Sequence, residues 1–237
     1  MTAFIENKKL VVIGGNGGIG QAIRGELELR SCEVVFASRD CTHENCFQID
    51  ISDESSWSQF RCFVKERLGA IDGVINCQGF LHNKELAPEK SLRHYNLKTM
   101  QETFLVNTFS IALAAKYLIP LFERNNESLF VALSAKVGSL SDNRIGGWGS
   151  YRASKAALNM IMKNLLIELT QKKQRCRVLS IHPGTTKTAL STPFLKGVVH
   201  KIHEPHESAK NILSVIESHE ALEQDFFKNW DGETLEF

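Results

Sequence analysis

The sequence predicts an α/β fold in which one parallel sheet is covered by helices on both faces. Three observations carry that prediction. Apolar runs of strand length alternate with longer helix-like stretches from end to end, a glycine-rich turn follows the first run directly, and no linker or composition shift divides the chain. Residues 1–237 are therefore read as one domain.

The strand candidates are Leu10–Ile13, Glu33–Ala37, Phe47–Ile49, Gly73–Asn76, Leu129–Ser134 and Val178–His182, with a fainter seventh at Asp225–Lys228. Helical patterns lie between them at Ile19–Arg30, Glu54–Leu68, Thr99–Phe122, Tyr151–Thr170 and Glu207–Glu217. Pro120 is expected to kink or end the long third helix, because it lacks an N–H and its ring clashes with the preceding turn. Two connections, Gly138–Gly149 and Thr188–Pro205, are longer than simple turns need, and loops of that kind often carry function.

Lys and Arg number 28 against 27 Asp and Glu, so overall charge gives no reason to expect nucleic acid or an anionic membrane as a partner. Within Met1–Gly15 the apolar run is only Leu10–Ile13, too short for a signal core or a membrane span. Six scattered cysteines read as reduced thiols of a cytoplasmic protein. Cys41, His43 and Cys46 could suggest a metal corner, but a second ligand pair at zinc spacing is missing, and no metal is expected.

The first strand runs into Gly14-Gly15-Asn16-Gly17-Gly18-Ile19-Gly20 and then into a helix. Glycines there let the backbone turn tightly beside a pyrophosphate, whose charge meets the helix N-terminus. The position after a first strand makes the pattern that of a Rossmann-type dinucleotide site, although a tight packing turn would look similar. The second strand ends in Ser38-Arg39 instead of the acidic residue that binds a free ribose 2′-hydroxyl. A guanidinium suits a 2′-phosphate, so NADP(H) is expected over NAD(H), with a solvated Arg39–Asp40 pair as the bland alternative. Asp50-Ile51 and Asn76-Cys77-Gln78-Gly79 close the third and fourth strands, at the sheet edge where ligands bind in such folds.

Tyr151 and Lys155 stand four apart at the start of a helix, on one face. An ordinary tyrosine shuttles protons poorly near neutrality, and a nearby fixed positive charge lowers its pKa. Alone, such a pair would more often be surface decoration.

It does not stand alone. The glycine-rich turn, Asn76-x-x-Gly79, Asn107, Tyr151-x-x-x-Lys155 and Pro183-Gly184 occur in an order that resembles the short-chain dehydrogenase/reductase family over essentially the whole length. Leu133–Ser139, Gly146-Gly-Trp, Tyr151–Asn159 and the ending Phe226–Gly232 are most similar to its C-factor/sniffer-like subgroup. The resemblance implies that Gly14, Gly18 and Gly20 are the cofactor glycines, with Asn16 and Ile19 in the same turn. Ile13 stands where the family usually has threonine. It also implies that Asp50 and Ile51 flank the adenine, and that Asn76 and Gly79 border the cofactor. Pro183, Gly184, Thr186 and Thr188 would surround the carboxamide. Tyr151 would be the catalytic acid/base, Lys155 its partner on the nicotinamide ribose, and Asn107 the anchor of a proton-relay water. Thr188–Pro205 would be the substrate lid, and the two long helices would build a homodimer or homotetramer.

One departure matters. Family members usually carry Ser-Ser at the end of the fifth strand, the second serine polarising the substrate carbonyl, and here the pair is Ser134-Ala135. Ser134 is the favoured substitute and Ser139 the second choice, unless the donor is missing. The expected function is hydride transfer between NADP(H) and a small carbonyl or alcohol. The alternative is a cofactor-binding regulatory protein of the same fold with little turnover.

Overall fold

The computed structural model describes residues 4–237. Met1–Ala3, the first positions of the expected domain, lie outside the described residues. The strands are β1 (Lys9–Ile13), β2 (Glu33–Ser38), β3 (Cys46–Gln48), β4 (Gly73–Asn76), β5 (Ser128–Leu133), β6 (Cys176–His182) and β7 (Phe227–Asn229). They form one parallel sheet in the order β3-β2-β1-β4-β5-β6-β7. All seven expected strands are present. β4 and β5 are buried at every residue, which is why they read as unbroken apolar runs instead of alternating ones.

Alternation along the strands feeds two cores. Val11, Val35, Val74 and Phe130 face α2 (Glu54–Leu68), α4 (Ser110–Leu118) and α5 (Gly149–Gln171). Leu10, Phe36, Ile75 and Val131 face α1 (Gly18–Glu28) and α6 (Pro205–Ser218). The sheet is thus doubly wound.

The long third helix departs from its expected continuous form. It comprises α3 (Leu97–Phe104), a π turn at Leu105–Phe109, α4, and a closing 3₁₀ turn at Ile119–Leu121 that carries Pro120. The proline ends the helix, as its missing N–H and fixed φ require. Leu97–Leu121 is long and apolar enough to cross a membrane, with a mean hydropathy of 1.5, but here it packs against α2 and α5.

Topology places the site. After β3 the chain crosses back past β1 to lay down β4, so the strand order reverses between β1 and β4. A crevice opens at the carboxyl edge of such a reversal. Ile13 pairs with Ala37 on one side and Asn76 on the other, so the ends of β1, β2 and β4 come level there.

Candidate active site

Two groups of expected site residues gather toward that edge. In the first, the turn after β1 is held by its glycines. Gly14 has φ +78° and donates its N–H to Ala37 O at 2.8 Å. A Cβ on Gly20 would overlap the Gly14 carbonyl, so only glycine lets α1 start so close to the turn. A Cβ on Gly18 would come within 2.8 Å of the Thr188 methyl, and one on Gly79 within 3.3 Å of Leu190. Thr188 and Leu190 therefore pack against the glycine turn and the segment after β4 respectively.

The remaining expected cofactor residues border the same edge. Ile19 is partly buried in the first turn of α1. Asn16 Nδ2 donates to Asp40 O at 2.6 Å, tying the glycine turn to the segment after β2. Ser38 is partly buried, and Arg39 is exposed with no hydrogen bond or ion pair among the described residues. Asp50 accepts from the Ser52 N–H and hydroxyl, while Ile51 packs on the core. Asn76 Oδ1 accepts from Gln78 N, but Asn76 Nδ2 and Gln78 Oε1 are buried without partners. Orphaned polar atoms beside a glycine cradle are what a polar ligand would satisfy, so these residues fit a dinucleotide. Pro183 and Gly184 follow β6. Gly184 has φ +73°, and a Cβ there would press to 2.9 Å from both His203 and Trp230. Thr186 shares a hydrogen bond with Ser208 at 2.6 Å, and the Thr188 N–H donates to Ser191 Oγ at 3.0 Å.

In the second group, Tyr151 and Lys155 occupy the first two turns of α5. Phe80 N donates to Asn107 Oδ1 at 2.7 Å, and Asn107 Nδ2 donates to Phe80 O at 2.9 Å and Ser154 Oγ at 3.0 Å. Ser154 Oγ donates in turn to the Tyr151 carbonyl at 2.8 Å. Thr108 adds a bond to the Ser154 carbonyl at 2.9 Å. Asn107 sits inside the π turn, where the helical ladder is interrupted, a feature that recurs at functional sites.

Lys155 is 2% exposed, and its Nζ donates to Leu133 O at 2.7 Å, 5.8 Å from the Tyr151 ring centre. Burial pushes the Tyr151 phenol up to about 12 and the Lys155 ammonium down to about 7. Desolvation is the cause of both shifts, and the expected lowering of the phenol by the lysine is not seen. Burial also pushes His182, at the end of β6, down to about 4, so it is neutral at physiological pH.

The structure directs Ser134 elsewhere than its expected role. Ser134 Oγ donates to Asn159 Oδ1 at 2.8 Å in a buried contact with α5. Ala135 continues in extended conformation (φ −153°, ψ 144°), so its side chain takes the opposite face. Ser139 is also occupied, sharing a 3.1 Å bond with Ser141 and accepting from Asp142 N. The expectation of six reduced cysteines is corrected for one pair. Cys41 and Cys46 are joined in a disulfide, because the loop folds back through the Cys46 N–H to His43 O bond and brings their Cα atoms to 5.6 Å. Cys32, Cys62, Cys77 and Cys176 are free.

Sequence reasoning offers Phe194 as an apolar contact but does not join Trp148 and His82 to it in an aromatic wall next to Tyr151. Trp148 lies 6.3 Å from the Tyr151 ring and 5.0 Å from Phe194, and Phe194 lies 5.3 Å from His82. His82 Nε2 reaches Leu190 O at 3.1 Å. Trp148 has φ +51°, a rare backbone state for a bulky residue, and such strain gathers at functional sites. No residue pattern marks that φ in advance.

The sequence model described as short chain dehydrogenase matches residues 8–197. The chain belongs to the short-chain dehydrogenase family. It is an oxidoreductase of that family by this match. It is similar to an uncharacterized oxidoreductase of Schizosaccharomyces pombe, 26% identical over 98% of each chain. Among solved structures it is similar to carbonyl reductase Sniffer of D. melanogaster (TM-score 0.82, 21% identity, 98% of this chain and 100% of that one). It is equally similar to the NADPH-bound carbonyl reductase from chicken fatty liver (TM-score 0.83, 21% identity, 100% of this chain and 96% of that one). These structures share its fold.

Proposed function

We propose that this short-chain dehydrogenase moves a hydride between NADP(H) and a small carbonyl/alcohol pair, with Tyr151 as general acid/base. The observation that carries this reading is the locked chain from Asn107 through Ser154 to Tyr151, with Lys155 buried one turn on. A packed helix start holds a proton donor more precisely than a loop can. The NADPH bound by the chicken liver carbonyl reductase supports the cofactor choice, as do Ser38 and Arg39 at the end of β2.

When bound, the nicotinamide cofactor supplies or accepts the hydride. Gly14, Asn16, Gly18, Ile19 and Gly20 would hold its pyrophosphate, and Ser38 and Arg39 its 2′-phosphate. Asp50 and Ile51 would border the adenine. Asn76 and Gly79 would line the ribose side, and Pro183, Gly184, Thr186 and Thr188 the carboxamide. The protonated Tyr151 phenol would donate to the carbonyl oxygen during reduction, and its phenolate would take the proton from the alcohol during oxidation. Lys155, buried one turn on from Tyr151, would contact the ribose, and Asn107 would anchor the route that resupplies the proton. Ser134 is spent on Asn159, so carbonyl polarisation falls to Tyr151 alone. Trp148, Phe194 and His82 favour an apolar carbonyl.

The same reading makes the protein cytoplasmic and a homodimer or homotetramer. Leu97, Met100 and Phe109 on α3 to α4, with Met160 and Ile167 on α5, leave apolar surface for a second copy. The test follows NADPH and NADH oxidation against a panel of aldehydes, ketones and quinones. NADPH-linked turnover of at least one apolar carbonyl is expected. Binding of NADPH with no turnover across the panel would overturn the enzyme assignment.

A further inference from the structure

The adenosine end of the cleft contains a second guanidinium that comes from the first helix. Arg24 sits on α1 between the buried Ile23 and Leu27, and it is only partly buried itself. Its side chain runs back toward the helix N-terminus, the usual direction for long side chains on a helix. There Nη1 donates to Gly15 O and to Asn16 Oδ1, both at 3.2 Å. The guanidinium carbon lies 3.3 Å from the ring centre of Phe36, two residues before Ser38 and on the same face of β2. Gly15 lies against both groups, since a Cβ there would come within 2.8 Å of the Phe36 ring and 3.0 Å of Arg24 Cδ.

Three features mark this as more than a latch for the turn. Arg24 has no salt-bridge partner among the described residues, although burial pulls its pKa below the usual guanidinium value against the opposing field of Glu28. A partly desolvated cation without a paired anion is costly unless something else supplies the charge. Nε is buried without a partner and Nη2 makes no hydrogen bond, so two edges of the fork remain unused. Finally, Asn16 accepts from Arg24 and donates to Asp40 O, the residue after Arg39. One asparagine thus joins both arginine-bearing segments at the level of the ribose edge.

We propose that Arg24 reads the cofactor's 2′-phosphate together with Arg39, as a cofactor-specificity residue. This rests on the NADP(H) reading above. A dianionic phosphate at the β2 end would give Arg24 its missing counter-charge and take hydrogen bonds from a fork already fixed by Phe36 and Gly15.

The test measures dissociation constants of 2′,5′-ADP, 5′-AMP, NADPH and NADH by calorimetry. The proteins are the unmutated chain, Arg24→Met, Arg24→Gln and Arg39→Ala. Arg24→Met keeps the stem on Phe36 and loses the charge, while Arg24→Gln keeps a donor for Gly15 O if the first variant folds poorly. Both should weaken 2′,5′-ADP and NADPH about tenfold to a hundredfold, with 5′-AMP and NADH within about twofold. Equal weakening of NADPH and NADH would make Arg24 a structural latch and overturn the proposal. Selective loss in Arg39→Ala but not in the Arg24 variants would overturn it while leaving the NADP(H) reading intact. Equal affinities for NADPH and NADH in the unmutated protein would defeat that reading and this proposal with it.

Discussion

The two ends of the proposed cofactor site are built in opposite ways. At the catalytic end, Asn107, Ser154 and Lys155 are buried, and each is held by short hydrogen bonds to a neighbouring element. At the proposed adenosine end, Arg39 is exposed and unpaired among the described residues, and the loop beyond it is held by the Cys41–Cys46 bridge, the Asn16 bond to Asp40 O and a few backbone bonds. Under the proposed function, the difference follows from what each end would have to do. Proton transfer needs a donor fixed to a fraction of an ångström, which burial and interlocking bonds provide. Cofactor choice needs only charge at the right edge, which an exposed side chain can supply.

That contrast breaks most visibly in a pair of variants. Lys155→Met should lower kcat about a hundredfold to a thousandfold, because a preorganised polar donor at the reacting end is lost. It should also weaken NADPH and NADH alike. Arg39→Ala should leave kcat with saturating NADPH nearly unchanged and weaken NADPH alone, about tenfold to a hundredfold. Steady-state kinetics with both cofactors checks both outcomes. If Arg39→Ala lowered kcat as much as Lys155→Met, the division of labour would be wrong.

A smaller effect sharpens the catalytic half. Ala135→Ser should raise kcat severalfold to about tenfold, by adding a donor on the face opposite Ser134. Ser134→Ala should change kcat less than about threefold, yet cost about 1–3 kcal/mol in stability by stranding buried Asn159. Denaturant melts beside kinetics would separate the two. A large loss of kcat with unchanged stability in Ser134→Ala would restore that serine to the carbonyl.

The same contrast governs what could be read from the residues. The sheet was legible because its strands are apolar runs bounded by turn residues, and β7, the faintest, was placed within two residues at its start. The glycine turn and the Tyr151/Lys155 pair were legible because local spacing dictates them. Tertiary choices were not. The π turn at Leu105–Phe109 interrupts a sequence of good helix formers, and its signal lies in the bonds from Asn107 to Phe80 and Ser154. Which way Ser134 points depends on the buried Asn159, twenty-five residues later. No motif in the sequence singles out Arg24, and only the fold brings it onto Phe36.

The central claim is that Tyr151 supplies the proton. The direct measurement compares Tyr151→Phe with the unmutated protein on a carbonyl that the latter reduces, recording kcat and the NADPH dissociation constant together. The substitution keeps the ring and its packing and removes only the hydroxyl. The account predicts that kcat falls about a hundredfold to ten-thousandfold while NADPH binding stays within about twofold. A Tyr151→Phe protein that binds NADPH normally and keeps near-normal kcat would contradict it.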